Sequence, residues 1–439
     1  MDITFMVALV IALALFFDFT NGFHDTANAM ATPIATGAIK PKTAVTLAAL
    51  LNLVGAFLST EVAKTVSGGI IREGTDGVQI TPEIIFAGLM GAILWNMITW
   101  LKGLPSSSSH ALFGGLIGAA IAGIGFGSVN LETLMQKVIL PAIFAPLIAG
   151  LVAYVCTRLA YALTSRHDPE TGSKLTQKRG GFRTGQIFTS SLVALAHGTN
   201  DAQKTMGIIT LVLIAAGTQA PGTGPQFWVI AACAFAIAIG TYSGGWRIIR
   251  TMGSGLTEVK PAQGFAAETS TASAILASSH LGFALSTTQV ASGSVIGSGM
   301  GRKGTTVRWN MVGKIAVGWL FTLPAAGIVG ALTALLVNTG VVGVLIAAIA
   351  GTGAVLFMFF YSRKSAVGHH NAVEVEEAGQ AVRFAKKKAM ARARAEAKAK
   401  AKADASAKAN TKTPSTPHAA AETQAPADAD ATNSKETQR

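Results

Sequence analysis

The amino-acid sequence predicts an all-α integral membrane protein of about 10–12 transmembrane segments arranged as two related halves. Three observations carry this expectation. The 439-residue chain is 50% hydrophobic and only 13% charged, with a mean hydropathy of +0.46. A soluble chain is usually about 25% charged, because its surface must be covered. Apolar stretches long enough to cross about 30 Å of hydrocarbon recur along the chain. Finally, elements of the first half return in the second at a near-constant offset.

The long apolar stretches are 3–20, 43–62, 82–101, 138–164, 184–198, 226–246, 262–282, 309–337 and 340–361. Four further pieces, 26–38, 111–126, 203–217 and 289–300, are short, and each follows a polar cluster. Such clusters survive at membrane depth only where protein or water surrounds them, so these pieces read as interrupted or re-entrant helices. Ile3 to Phe17 has no basic residue before it and no small-residue cleavage site after it, and reads as a retained first span rather than a signal peptide.

The domain expectation follows. Residues 1–164 form a first transmembrane repeat and 184–361 a second. Between them, 165–183 is a basic cytoplasmic linker with Arg166, Lys174, Lys178, Arg179 and Arg183. Residues 362–439 form a basic, Ala/Lys-rich, largely disordered cytoplasmic tail. That tail has 15 Lys/Arg against 9 Asp/Glu, which is +6 of the chain's net +13. The rest of the positive charge sits mainly in short loops, as the positive-inside rule requires, so no nucleic-acid partner is implied. Solvation or contact with anionic lipid headgroups accounts for the tail's charge. The expected setting is a plasma (inner) membrane crossed many times. Cys156 and Cys233 lie in apolar runs and read as packing residues.

Three matched blocks define the repeat. Asn21-Gly22-Phe23-His24-Asp25-Thr26-Ala27-Asn28-Ala29-Met30 aligns with His197-Gly198-Thr199-Asn200-Asp201-Ala202-Gln203-Lys204-Thr205-Met206, which places Asp201 176 positions after Asp25. Ser107-Ser108-Ser109-His110 aligns with Ser286-Thr287-Thr288-Gln289, an offset of 179. Lys137, Pro146 and Gly150 align with Lys314, Pro324 and Gly327, and the lysines are 177 apart. Chance matches do not keep a near-constant offset across three blocks. Internal symmetry with polar-interrupted apolar segments at matched positions is the pattern of a transporter that binds its substrate near the midplane.

Asp25 and Asp201 are the first candidate residues. A carboxylate at membrane depth is costly, and two at equivalent positions point to function more strongly than to interfacial turns. Ser107, Ser108, Ser109, Ser286, Thr287 and Thr288 precede Gly-studded apolar segments. A helix start offers free N–H groups and the positive end of its dipole, which suits an anion. Hydroxyls add donors without charge. Ordinary N-capping is the alternative reading. An acid beside an anion site can hold a coupling cation, H⁺ or Na⁺. It can also accept the hydrogen bond of a P–OH, which sulfate lacks at neutral pH.

At these residues the chain resembles the inorganic phosphate transporter (PiT) family. The resemblance rests on Gly22-Phe23-His24-Asp25-Thr26-Ala27-Asn28-Ala29 and Gly198-Thr199-Asn200-Asp201-Ala202, and on Leu104-Pro105-Ser106-Ser107-Ser108-Ser109-His110 and Leu285-Ser286-Thr287-Thr288-Gln289. It covers roughly residues 1–361. It implies an inverted-repeat fold and cation-coupled uptake of inorganic phosphate, with Asp25, Asn28, Asp201, Asn200 and the hydroxyls lining a central site. Two departures stand out. Lys204 occupies the place where sodium-coupled members tend to have Asn, and Gln289 stands where the family usually has His. The lysine could replace a bound Na⁺, face the phosphate, or snorkel from a helix end. With His-Asp-Thr-Ala-Asn-Ala and Asn-Asp-Ala-Gln-Lys, the chain is similar to the bacterial low-affinity branch, which implies H⁺ rather than Na⁺ coupling and transport that includes metal–phosphate complexes. Glu268 falls where the family often has an acid, so cation handling is its expected role.

Other candidates are weaker. His24 and His110 could titrate near neutral pH or be structural, and Asn52 and Asp18 are further buried polar positions. No resident metal or other cofactor is expected, and a homo-oligomer stays open. Competing readings are a sulfate permease on the same scaffold, a passive anion channel, and an enzyme acting on phosphate esters or lipids. No nucleotide-binding Gly-x-x-x-x-Gly-Lys-Ser/Thr element is present, which disfavours ATP drive, and the clean duplication disfavours an enzyme.

Overall fold

The computed structural model describes residues 3–71, 79–165, 181–365 and 367–368. These belong to one helical unit, Met1–Glu374. The second unit, Val375–Arg439, lies outside the described residues. Most of the expected linker does too, since α8 begins only at Gly181. In chain order the helices are α1 (Ile3–Ala35), α2 (Pro41–Gly55), α3 (Glu61–Gly68), α4 (Pro82–Leu101), α5 (Ser108–Gly123), α6 (Leu131–Leu134), α7 (Leu140–Ser165), α8 (Gly181–Ala215), α9 (Phe227–Ser243), α10 (Trp246–Arg250), α11 (Pro261–His280), α12 (Thr287–Gly301), α13 (Trp309–Val337) and α14 (Val341–Ser362). Two isolated bridges, Ile71 to Val129 and Thr257 to Val307, are the β-pairings among the described residues.

Among the described residues, five helical runs are long and apolar enough to cross a membrane: α1, α4, Leu131–Leu163, α13 and α14. A sixth forms if α9 and the segment Trp246–Gly255, bent by 59°, count as one span. Leu147, Leu151, Leu320, Leu332, Ile349 and Phe357 are each more than 60% exposed. Such an apolar surface belongs against lipid rather than water.

Two expectations about breaks need correcting. The pieces 26–38 and 203–217 are not separate. α1 runs unbroken through Asn21–Met30, and α8 runs unbroken through His197–Met206. A helix satisfies its own backbone at membrane depth, so polar side chains need not break it when facing helices supply partners. The other two interrupted pieces are short helices of their own, α5 and α12.

Helix pairings recur between the halves. α5 packs on α4 and α13, and α12 packs on α11 and α7. α1 packs on α4 and α9, and α8 packs on α11 and α2. Each short helix therefore sits against a long helix of the other half. Close approach makes this possible. A Cβ on Gly118 would meet the Gly327 carbonyl oxygen at 2.0 Å, and one on Gly297 would meet that of Gly150 at 1.9 Å. These glycines let the backbones touch, the usual basis of helix association in lipid.

Candidate functional site

α1 and α8 bring their polar segments to the centre, where Asp25 is 1% and Asp201 0% exposed. The starts of α5 and α12 meet them there. Ser107 and Ser286 are the N-caps, with matching extended backbones. Ser107 accepts from the His110 N–H at 3.1 Å and Ser286 from the Gln289 N–H at 3.3 Å. Both therefore perform the capping that was the alternative reading. Their neighbours reach the acids. Ser108 donates to Asp25 at 2.9 Å, Thr288 to Asp25 at 3.2 Å, and Thr287 to Asp201 at 3.0 Å. Thr287 also lies 3.5 Å from Asp25. Asn28 donates to Thr287 at 3.3 Å and to Thr288 at 3.1 Å. Asp25 thus receives hydroxyls from both short helices.

Lys204 is 1% exposed and in mid-helix, which rules out snorkelling. Its ammonium pairs with Asp201 and donates to Ser109 Oγ at 2.6 Å and to the Leu285 carbonyl at 2.9 Å. A charge this deep is tolerable because every donor direction is met. Ser109 accordingly serves the lysine, not a carboxylate.

Each acid also has an imidazole. His24 Nδ1 is 2.6 Å from Asp25 Oδ1, and His197 Nε2 is 2.9 Å from Asp201 Oδ2 and 4.0 Å from Asp25 Oδ2. The other nitrogen of His197 is 3.2 Å from Asn52 Oδ1, and Asn52 donates to Thr241 at 2.7 Å. Asp25, His197 and Asp201 offer ligand atoms within 4.8 Å of one another, a set that could hold a cation. Sequence reasoning missed His197. Its signal was the four-residue spacing to Asp201, which puts both on one helix face.

Not every expected residue joins this cluster. Asn200 donates to Ser279 at 3.0 Å and to the Phe283 carbonyl at 3.4 Å. Glu268, 2% exposed, accepts from Thr32 at 2.5 Å, Thr189 at 2.7 Å and Gln186 at 3.1 Å. Thr32 lies seven residues beyond Asp25 on α1, about 10 Å along the axis, so Glu268 forms a separate buried centre.

This arrangement joins two acids, a lysine and two hydroxyl-bearing helix starts. Over residues 21–330 the chain matches the model of the phosphate transporter family. The chain belongs to that family. It is 56% identical over 335 residues to the "Probable low-affinity inorganic phosphate transporter" of Mycobacterium tuberculosis, covering 76% of this chain and 78% of that one. It is 40% identical over 342 residues to the protein of the same description from Bacillus subtilis, covering 77% of this chain and 99% of that one. Among solved structures it is similar to "The sodium-dependent phosphate transporter", at a TM-score of 0.67 and 24% identity, covering 76% of this chain and 99% of that one. That likeness concerns the fold. This phosphate transporter is a multi-pass protein of the bacterial plasma membrane, and its relatives are transporters rather than enzymes.

Proposed function

We propose that this transporter is a proton-coupled carrier of inorganic phosphate, with the anion bound where the starts of α5 and α12 converge on Asp25 and Asp201. The observation that carries the reading is the hydroxyl bridge: Ser108, Thr287 and Thr288, from both short helices, all reach these two carboxylates. Ser107 and Ser286 cap the same two helix starts, whose N–H groups would face the anion. Asn28 steadies the hydroxyls, and Asn200 supports the α11 side. The inverted relation of residues 1–164 and 184–361 is part of this reading.

Charge supplies the reason for coupling. Asp25, Asp201 and Lys204 sum to −1 while the imidazoles are neutral. Adding a phosphate anion in a desolvated pocket needs accompanying positive charge. Lys204 already occupies Asp201 as a fixed cation, which disfavours a Na⁺ there. His24 and His197 adjoin the acids and can carry protons, and Glu268 is a further acid for cation handling.

The test is radiolabelled phosphate uptake into proteoliposomes with pH and Na⁺ gradients imposed separately. An inward proton gradient should drive accumulation and a Na⁺ gradient alone should not. Accumulation driven by Na⁺ alone would reverse the assignment. Uptake that ignores both gradients would indicate a channel, and sulfate competing as well as phosphate would indicate a sulfate permease.

A second reading concerns cargo. Lys204 holds one oxygen of Asp201, and the other, with Asp25 and His197, is a donor group for a divalent cation, so phosphate could travel as its neutral metal complex. Co-accumulation of a radiolabelled divalent metal that requires phosphate would establish this, and phosphate uptake unaffected by chelator would argue against it.

A further inference from the structure

Asp18 takes no part in the cluster just described. It is 0% exposed, and neither of its carboxylate oxygens has a hydrogen-bond partner. Asn21, three residues on along the same helix and 1% exposed, is likewise unpartnered at both side-chain atoms. The hydroxyl of Thr205, 0% exposed, is directed at Asp18 from α8 but makes no hydrogen bond of normal length and angle. Buried polar atoms are ordinarily satisfied, so three neighbouring side chains without such bonds require an explanation. An acid in mid-membrane without a counter-charge is the more demanding case.

Helix geometry places this group. Asp18, Asp25 and Thr32 recur at intervals of seven along α1, so they share one face, with about 10 Å between successive levels. Opposite them, Thr205 is one turn beyond Asp201 on α8. The seam between α1 and α8 therefore carries carboxylates at three levels: Asp18 with Thr205, then Asp25 with Asp201, then Glu268 against Thr32 and Thr189. The Glu268 level is fully hydrogen-bonded and the Asp18 level is not.

We propose that Asp18, with Asn21 and Thr205, is a second ion station that binds the coupling cation two helical turns from the central acids, on the side of the α1 N-terminus. The carboxylate, the amide oxygen and the hydroxyl are all hard oxygen donors, suited to H⁺ or Na⁺ and not to an anion. Asp201 and Lys204 from α8 and Cys233 from α9 are the titratable groups facing Asp18. The lysine is paired with Asp201 and acts on Asp18 from a distance rather than as its ion-pair partner. The proposal rests on the reading of the chain as a coupled carrier and adds a place for the driving ion.

The test compares two activities of the full chain in liposomes: phosphate accumulation under an imposed gradient, and phosphate–phosphate exchange without one. In Asp18→Asn the ratio of accumulation to exchange should fall at least tenfold under the gradient that drives the unaltered protein. A loss confined to the pH arm identifies H⁺, and a loss in the Na⁺ arm identifies Na⁺. An unchanged ratio in both arms overturns the proposal. So does equal loss of accumulation and exchange in a variant that elutes as folded protein. If Asp18→Asn does not fold, Thr205→Val takes its place, with a reduced ratio expected and an unchanged one overturning the idea. If the unaltered protein accumulates phosphate under neither gradient, the coupled-carrier reading fails and this proposal falls with it.

Discussion

His110 and Gln289 occupy equivalent positions in the two halves, and their side chains meet: Gln289 Nε2 lies 3.4 Å from His110 Nδ1. The two matched positions therefore lie side by side in the fold. The same relation brings Ser108 of α5 and Thr288 of α12 to one carboxylate, Asp25. Similar sequence thus becomes a shared site rather than two separate ones.

Asp25 and Asp201 are expected to be indispensable. Asp25→Asn and Asp201→Asn should each lower gradient-driven phosphate uptake by at least a hundredfold while the protein still inserts and elutes as folded. Proteoliposome uptake measures the first and size-exclusion profiles in detergent the second. Full uptake in both variants would remove the acids from the mechanism.

Lys204 and Asp201 should be coupled energetically. Removing either one strands the other as a buried charge, which typically costs about 3–5 kcal/mol. The double variant Asp201→Asn with Lys204→Gln should be less destabilised than the sum of the singles, by about 1–3 kcal/mol. Thermal unfolding in detergent supplies the four stabilities. Additivity to within about 0.5 kcal/mol would show that the two charges do not depend on each other.

The glycine contacts predict a symmetric packing defect. Alanine at Gly118 or at Gly297 would push a methyl group into a backbone carbonyl that no rotamer change can clear. Each substitution should destabilise by about 1–3 kcal/mol without altering any charge of the site. Unfolding midpoints equal to that of the unaltered protein in both variants would mean that the helices are less closely apposed than described.

Glu268 is expected to separate binding from coupling. Glu268→Gln preserves the shape and most hydrogen bonds from Thr32, Thr189 and Gln186 but removes the charge. Gradient-driven uptake should fall at least tenfold, while phosphate exchange is affected less. Equal uptake in both forms would reduce Glu268 to a structural acid.

The matched His24-Asp25 and Asn200-Asp201 elements and the two hydroxyl runs were enough to single out two acids that the fold buries. Asp25 and Asp201 announce themselves because carboxylates are rare in apolar sequence, and Ser108, Thr287 and Thr288 because they precede short Gly-rich helices. His197 was missed because a histidine beside a glycine carries no signal of its own until the helix phase is known. The continuity of α1 and α8 was missed for a related reason. A polar decapeptide reads as a break when its partners, which lie 80 to 260 residues away in the chain, are not yet in view.

By itself the sequence determined the helical membrane class, the matched motif blocks and the residues worth watching. Those properties depend on composition, span length and repeat spacing, all of which are local. Only the tertiary structure decided that Ser107 and Ser286 cap while their neighbours reach the acids, that Lys204 is buried against Asp201, and that Glu268 and Asp18 stand on opposite sides of the central cluster. These depend on which helices from different halves pack together, and glycine-to-backbone contacts between distant segments set that packing.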